Sequence, residues 1–514
     1  MTLNPHPAGL LPDDESDRAL LDNVHPPRWS NPEPSGRYNL VVVGAGTAGL
    51  VTAAIATALG AKVALVERHL MGGDCLNVGC VPSKAVIAAS RAWAGVRRAS
   101  EFGVGGTGGV TYDFAAAMAR MRRLRARLSP IDSAHRFKGM GVDVFFGDGR
   151  FTGPDTVEVA GRTLAFVKAA ICTGARAAPP PIPGLVEAGY LTNETLFTLT
   201  ELPPRLAVIG AGPIGCEMGQ AFARFGSEVT LFEVEGRILP REDVDAAGIV
   251  AARMKKDGVQ FVLGVSVTRL DGRGRERIVR YEAGGRTCDI AADAVLLGIG
   301  RAPNVEGLGL EAAGVAYDTT AGVRVNDRLQ TTNPRIFAAG DVCFPFKFTH
   351  AADATAQIVI QNALFPHPFG LGYARTGALI VPWATYTDPE IARVGLSEAE
   401  AVAQGIPVET VTYRLDEVDR AVLDGEDEGF ARVHLKKGTE TILGATVVAA
   451  HAGDLISQLT LAMKAGLGLR AIAGTIYPYP TQAEVFKKVA NAWRKTTFSR
   501  SQQSILRRWF AWTR

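Results

Sequence analysis

Two stretches of this chain repeat one another at an offset of 166 residues, and that repeat constrains the fold more than any other feature. The first runs L-V-V-V-G-A-G-T-A-G from Leu40 and continues to A-K-V-A-L-V-E, ending at Glu67. The second runs L-A-V-I-G-A-G-P-I-G from Leu206 and ends S-E-V-T-L-F-E at Glu233. Each is an apolar run, a G-x-G-x-x-G turn, an Ala-rich helical stretch, a second apolar run and an acid 23 residues after the first glycine. Gly44 and Gly210 permit the tight strand-to-helix turn. Gly46 and Gly212 let the backbone approach a pyrophosphate, and Gly49 and Gly215 let the helix pack on the strand. The pyrophosphate sits on the helix N-terminus, and Glu67 and Glu233 bind ribose hydroxyls.

A lone glycine motif is weak; two full units with correctly spaced acids predict two dinucleotide sites, FAD plus a nicotinamide nucleotide. A carboxylate at Glu233 repels the 2′-phosphate of NADPH, so NADH is expected, with NADPH as the second candidate and Arg237 as a residue that softens the preference. The fold class expected is α/β, with two Rossmann-like dinucleotide-binding domains and a C-terminal α+β dimerisation domain. Composition agrees: 57 Gly and only 7% aromatic residues suit a nucleotide-binding α/β chain. No apolar run approaches the roughly 18 residues of a membrane span. Six Cys in 514 residues exclude a secreted disulfide scaffold.

Between the repeats lies G-G-D-C-L-N-V-G-C-V-P-S-K, which places Gly73, Cys75, Cys80 and Lys84 in one segment. A C-x4-C pair after a glycine turn can close a small disulfide beside a cofactor. A thiolate near a helix N-terminus or Lys84 has a depressed pKa and is a good nucleophile. Zinc needs four ligands, and neither a His nor a second Cys pair lies near in sequence, so no metal site is assigned. Cys172, Cys216, Cys288 and Cys343 read as small buried hydrophobes.

This segment resembles the redox-active disulfide signature of the class I pyridine nucleotide–disulfide oxidoreductases, and the resemblance covers about residues 37–490. T-G-A at Thr173, Gly174 and Ala175 resembles the turn closing the FAD domain. T-T-N-P-R-I-F-A-A-G-D, ending at Asp341, resembles the second FAD motif, whose Asp binds the ribityl chain. A-V-L-L-G-I-G-R-A-P-N, with Gly300, resembles the segment closing the nucleotide domain. The resemblance implies that Cys75 is the interchange thiol and Cys80 the charge-transfer thiol. It implies that Lys84 lies by flavin N5 and pairs with Glu217, and that a helix starting at Ala351 points its N-terminus at the flavin pyrimidine.

The family's disulfide reductases carry His-Pro-Thr-x-x-Glu near the C-terminus, where the His serves the other subunit as acid–base. Here the stretch is Tyr479-Pro480-Thr481-Gln482-Ala483-Glu484. Ionising a phenol of pKa near 10 at neutral pH costs on the order of 4 kcal/mol, so Tyr479 is a poor base. Tyr at this position is a mercuric reductase trait, although no Cys follows Cys343 where that enzyme carries a vicinal pair, and no N-terminal Cys-x-x-Cys is present. The chain is thus identified with the mercuric reductase-like branch: NADH reduces FAD, FAD reduces Cys75–Cys80, and the dithiol reduces a metal ion or small oxidant. The alternatives are a dihydrolipoamide dehydrogenase-like disulfide reductase, or a membrane-docked electron-transfer flavoprotein serving a quinone or protein partner. A homodimer sharing Tyr479 and Glu484 between subunits is implied.

The domain order expected is an extended N-terminal arm (1–36), an FAD domain (37–170), a nucleotide domain (171–300), a return to the FAD side (301–370), a dimerisation domain (371–490) and a basic amphipathic tail (491–514). The arm holds seven Pro and lacks the basic start and apolar stretch of a secretory signal, so a cytoplasmic protein is expected. From Val485 onward there are three Lys, five Arg and no acid, a charge of +8 against +3 for the whole chain. Ile505, Leu506, Trp509, Phe510 and Trp512 fall mainly on one helical face flanked by Arg, which suits peripheral contact with the inner face of a membrane. Docking on a partner subunit or on the chain's own body is the other reading. Nothing in the charge pattern points to nucleic acid.

Overall fold

The computed structural model describes residues 11–514. They group into two units: the chain up to Gly236 with Gly258–Leu379, and Arg237–Asp257 with Ile380–Arg514.

In the first unit, Tyr38–Val43 pairs in parallel with Val63–Glu67 and with Arg162–Ile171, which sets Leu40 beside Val63 and Val43 beside Ile171. The sheet runs Asp143–Phe146, Val63–Glu67, Tyr38–Val43, Arg162–Ile171, Thr156–Val159, Arg150–Gly153, with Ile336–Ala338 added along Arg162–Ile171. Its central strands are near-continuous Val and Leu because both faces are covered. Leu40 and Val42 enter one core with Ala53 and Val359, from the helices Thr47–Ala58 and Thr349–Leu364. Val41 and Val43 enter another with Phe151 and Phe166.

The second glycine unit builds its own parallel sheet, in the order Gln260–Leu263, Glu228–Glu233, Arg205–Ile209, Ala294–Leu297. The helix Pro213–Phe225 follows its first strand, and an antiparallel sheet of Ser266–Arg273, Glu276–Ala283 and Arg286–Ala292 accompanies it.

The other unit is α+β, with a sheet ordered Trp383–Thr385, Glu390–Gly395, Ile442–Ala449, Phe430–Lys436, Val408–Arg414. Helices Ala452–Lys464 and Glu484–Thr497 supply Leu459, Phe486 and Trp493 to its core. The segment 237–257, expected within the nucleotide domain, groups here instead. Glu242 accepts a hydrogen bond from Trp383 Nε1 (2.9 Å), and Arg432 pairs with Asp243 at 3.2 Å and with Asp245.

The arm, expected to be extended with short ordered pieces around Val24 and Trp29, is ordered at both places, and the first piece is longer than expected. Glu15–Val24 is a helix, capped by Asp14, whose side chain accepts from the Asp17 amide at 2.9 Å. The stretch between Pro12 and Pro26 contains no proline, which leaves room for a helix. Leu20, Leu21 and Val24 recur at helical spacing and are buried in the core. Beyond it, Trp29 Nε1 donates to the Val144 carbonyl at 3.1 Å. Residues 1–10 of the arm lie outside the described residues. At the other terminus, Arg500–Trp512 is a helix with a capping box between Ser499 and Gln502. Its apolar side chains are exposed, Trp512 at 77%.

Candidate active site

Each glycine loop leaves its strand through a left-handed glycine, Gly44 at φ 102° and Gly210 at φ 103°. A Cβ on Gly44 would lie 2.4 Å from the Cys172 carbonyl oxygen, and one on Gly49 1.8 Å from that of Gly44. A Cβ on Gly215 would stand 1.9 Å from the Gly210 oxygen. The helices Thr47–Ala58 and Pro213–Phe225 begin at Gly46 and Gly212, whose lack of a side chain leaves the helix ends without a side-chain cap. The two acids do the same work in each unit. Glu67 accepts from the Ala45 amide (2.7 Å) and the His69 amide (2.8 Å). Glu233 accepts from the Ala211 amide (2.7 Å) and the Glu235 amide (3.2 Å). Each acid therefore braces its own glycine loop, a role the spacing alone did not reveal. Burial raises the Glu67 carboxyl above the usual range, and these amides oppose the rise. A glycine turn closed to a Cβ at its first and third glycines, an uncapped helix end and a strand-end carboxylate fit an adenine dinucleotide in both units. Arg237 is committed elsewhere: its guanidinium donates to the carbonyls of Leu239, Pro240 and Glu242.

The cysteine segment rests on the first loop. The Gly72 amide donates to the Ala45 carbonyl at 2.8 Å. Gly73, at φ 55°, approaches so closely that a Cβ there would lie 2.7 Å from Gly46 Cα. Cys75 lies in the short helix Gly73–Asn77, and Cys80 opens the helix Cys80–Arg98. Both are free thiols, hydrogen-bonded to each other, and their environments separate them. The bond to Cys75 is the largest lowering influence on Cys80; the Thr349 hydroxyl, with Oγ1 3.3 Å from the sulfur, and the Lys84 charge add to it. Together they overcome burial and bring Cys80 down to about 6. Cys75 is pushed up, first by the same hydrogen bond and then by burial.

Lys84 follows Cys80 by one helical turn and pairs with Glu217 (Nζ to Oε2, 2.9 Å), a buried residue of the helix Pro213–Phe225. Thr349 is the first residue of the helix Thr349–Leu364. That helix was expected to start at Ala351; beginning two residues earlier, it puts a hydroxyl on Cys80. Thr349 and Cys80 are 269 residues apart, so no local signal pairs them.

Asp341 sits in the turn Gly340–Val342, 3.7 Å from Arg301, which also pairs with Asp74 beside Cys75. Arg301 was visible only as a letter of the G-I-G-R-A-P-N motif, and it joins that motif to the redox segment and the second FAD motif. Gly300 precedes it at φ 67°. Thr173 Oγ1 donates to the Asn304 carbonyl (2.7 Å), and the Asn304 amide donates to the Gly174 carbonyl (2.9 Å), so the two closing motifs interlock.

Tyr479 and Glu484 belong to the second unit. The Tyr479 hydroxyl donates to Asp419 (2.8 Å), and its side chain is 69% exposed. That hydrogen bond to a carboxylate raises the phenol above its ordinary value, which weakens it further as a base. Glu484 begins the helix Glu484–Thr497. Among the described residues, no group of three or more His, Cys, Asp or Glu side chains is arranged to hold a metal ion.

The chain belongs to the pyridine nucleotide-disulphide oxidoreductases: that family's model matches residues 38–357, and the model of its dimerisation domain matches 381–490. It is an enzyme that uses FAD and NAD(P)H, and its dimerisation domain makes it a homodimer. It is similar to mercuric reductase of Staphylococcus aureus, 35% identical over 487 residues, covering 94% of this chain and 86% of that one. It is also similar to dihydrolipoyl dehydrogenase of Geobacillus stearothermophilus, 34% identical over 455 residues, covering 88% and 95%. Among solved structures it resembles the HOCl-induced flavoprotein disulfide reductase RclA from Escherichia coli, with TM-score 0.79 and 29% identity, covering 88% of this chain and 99% of that one.

Proposed function

We propose that this enzyme passes two electrons from NADH through FAD to the Cys75–Cys80 disulfide, and that the resulting dithiol reduces a metal ion or small oxidant. The observation that carries the reading is the setting of the two sulfurs: they are hydrogen-bonded to each other, and Thr349 Oγ1 lies 3.3 Å from Cys80, with Lys84 one helical turn on, which favours the thiolate at Cys80 and the thiol at Cys75. Bound FAD supplies the two-electron relay between nicotinamide and sulfur. On reduction the S–S bond breaks; Cys80 leaves as a thiolate stabilised by Thr349 and Lys84, and Cys75 takes a proton and becomes the sulfur that meets the oxidant. When the oxidant accepts two electrons, Cys75 releases its one proton and the S–S bond to the Cys80 sulfur re-forms. Lys84, held by Glu217, keeps a positive charge one turn from Cys80. Gly44, Gly46, Gly49, Gly73, Glu67, Thr173, Gly174, Asp341 and Ala351 would hold FAD. Gly210, Gly212, Gly215, Glu233 and Gly300 would hold the nicotinamide nucleotide, and the carboxylate of Glu233 favours NADH.

Tyr479 supports a metal ion or small oxidant over a disulfide. Its proton is bound to Asp419, and in the dimer we assign Tyr479 and Glu484 to the partner's site as non-basic elements. Relatives named mercuric reductase, and a Cu(II) complex of RclA with TM-score 0.78 and 29% identity, agree with a metal. The dihydrolipoyl dehydrogenases keep a disulfide as the second reading. Steady-state NADH oxidation with Hg(II), Cu(II), lipoamide and a water-soluble quinone decides between them. Turnover of lipoamide above both metals would overturn the metal reading.

We also infer that the tail helix meets an anionic lipid surface from the cytoplasmic side. No described helix is long and apolar enough to cross a membrane. Trp509, Phe510 and Trp512 are exposed on one face, and the 30 residues from Val485 carry +8. Each cation near such a surface contributes about 1 kcal/mol, and Trp sits well at headgroup depth.

A further inference from the structure

The arm helix Glu15–Val24 does more than add apolar side chains to the core. Asp17, with a side chain 1% exposed, pairs with Arg125 of the helix Phe114–Leu128, itself 4% exposed, at 2.8 Å. The same guanidinium donates to the Asn77 carbonyl at 2.8 Å. Asn77 lies between Cys75 and Cys80, and its side-chain Nδ2 donates to the carbonyls of Met71 (3.0 Å) and Gly73 (2.9 Å). At the near end of the segment, the Met71 amide donates to the Val24 carbonyl of the arm at 3.1 Å. A second pair, Arg122 Nε to Asp14 at 2.5 Å, ties the start of the arm helix to the same helix.

Holding the arm in place does not require this arrangement. Leu20, Leu21 and Val24 are buried in the core and would dock the helix on their own. A buried ion pair contributes little net stability, and well-packed apolar residues of like volume are often as stable or more so. What the ion pair does fix is direction: Arg125 aims one N–H at one carbonyl inside the redox segment. The family model begins at residue 38, so the arm is an element outside it.

We infer that Asp17 and Arg125 are positioning residues for the redox pair, and that the arm helix acts through them to hold the Asn77 peptide still while the Cys75–Cys80 bond opens and closes. With Asn77 pinned by Arg125 and the start of the segment pinned by Val24, the change between disulfide and dithiol falls on the cysteine side chains. Cys80 thereby keeps its distance to Thr349. The inference rests on the reading of Cys75–Cys80 as the redox pair.

The test is the double variant Asp17→Leu with Arg125→Met, which removes both charges together and leaves no buried charge unpaired. Measured beside it are FAD content, Tm, the pH midpoint of the long-wavelength thiolate–flavin absorbance of the reduced enzyme, and kcat and KM for NADH. We expect FAD content and Tm near wild type, a shifted pH midpoint, unchanged KM and a fall in kcat. Misplacing a reacting group by on the order of 1 Å costs about 100-fold, so a partial loosening should cost about tenfold. Arg125→Lys, which keeps a donor, should recover part of the loss. A wild-type midpoint and kcat would reduce the arm to packing and overturn the inference. If the double variant fails to fold, Asp17→Glu carries the test by moving the carboxylate one methylene. A shifted midpoint at wild-type Tm supports positioning, and an unshifted one overturns it. Cys80→Ser in the wild-type background separates the two readings: if the absorbance survives there, the redox-pair reading itself has failed.

Discussion

Thr349→Val tests the thiolate assignment most directly, because it deletes one hydroxyl and leaves the shape nearly unchanged. Cys80 stands at about 6. The Thr349 hydroxyl lies 3.3 Å from its sulfur, inside the range of a hydrogen bond to sulfur. A hydrogen bond to a charged acceptor contributes about 1.5–3 kcal/mol, and Cys80 keeps contact with solvent although its sulfur is partly desolvated, so the lower end applies. At about 1.36 kcal/mol per pKa unit, losing about 1.5 kcal/mol of thiolate stabilisation raises Cys80 by about one unit. The sign follows from the protonation: the thiolate is the form that loses a donor, so the variant needs a higher pH to form it. The assay is a pH titration of the long-wavelength absorbance of the reduced enzyme, which bleaches as Cys80 is protonated. Wild type should bleach through about pH 6, and the variant through about pH 7. Cys75→Ala, which removes the larger donor and needs no reductant to free Cys80, should move the midpoint further than Thr349→Val. Lys84→Met should move it less. An unmoved midpoint in Thr349→Val, or the reverse order among the three variants, would refute the reasoning.

Other outcomes follow from the same site. Glu233→Arg should erode the preference for NADH over NADPH, read as the ratio of kcat/KM for the two; equal efficiencies in the wild type would count against Glu233 as the selector. Tyr479→His should raise lipoamide turnover severalfold if proton transfer is what the pocket lacks, and no gain would place the exclusion in pocket shape. Deleting Ser499–Arg514 should release the protein from anionic vesicles in co-sedimentation while FAD content and NADH oxidation persist. Full-length protein left in the supernatant at low salt would end the lipid reading of the tail.

What could be read from the sequence was the chemistry written in short spacings. The glycines and acids of the two loops recur within 23 residues of one another, Cys75 and Cys80 within five, and Lys84 one helical turn beyond. Such spacings encode strand, turn and helix directly, so they survive without knowledge of the fold. The dimerisation unit was legible for the same reason: Ile442–Ala449 and Glu484–Thr497 carry their own periods. The rest of the site depends on approach between distant segments. Thr349 reaches Cys80 from 269 residues away, Arg301 reaches Asp74 from 227, and Arg125 reaches Asp17 from 108. Each is a polar side chain whose partner is fixed by packing, and nothing in its neighbourhood in sequence says which partner that is.

This division has a consequence for how the thiols are tuned. The residues we assign to a Cys75–Cys80 redox pair are local in the sequence. The groups we propose to tune that pair come from far along the chain: Thr349 on the Cys80 sulfur, and Arg125 on the peptide between the cysteines. A chain can therefore keep the family's electron route intact while its potential, its pH response and its oxidant are set by side chains that no motif contains. The exchange of His for Tyr479 is the one such change that lies inside a motif. In the reaction we propose, Tyr at this place would remove a base without touching the dithiol and would leave Cys75 able to give electrons to an oxidant that asks for no proton in return.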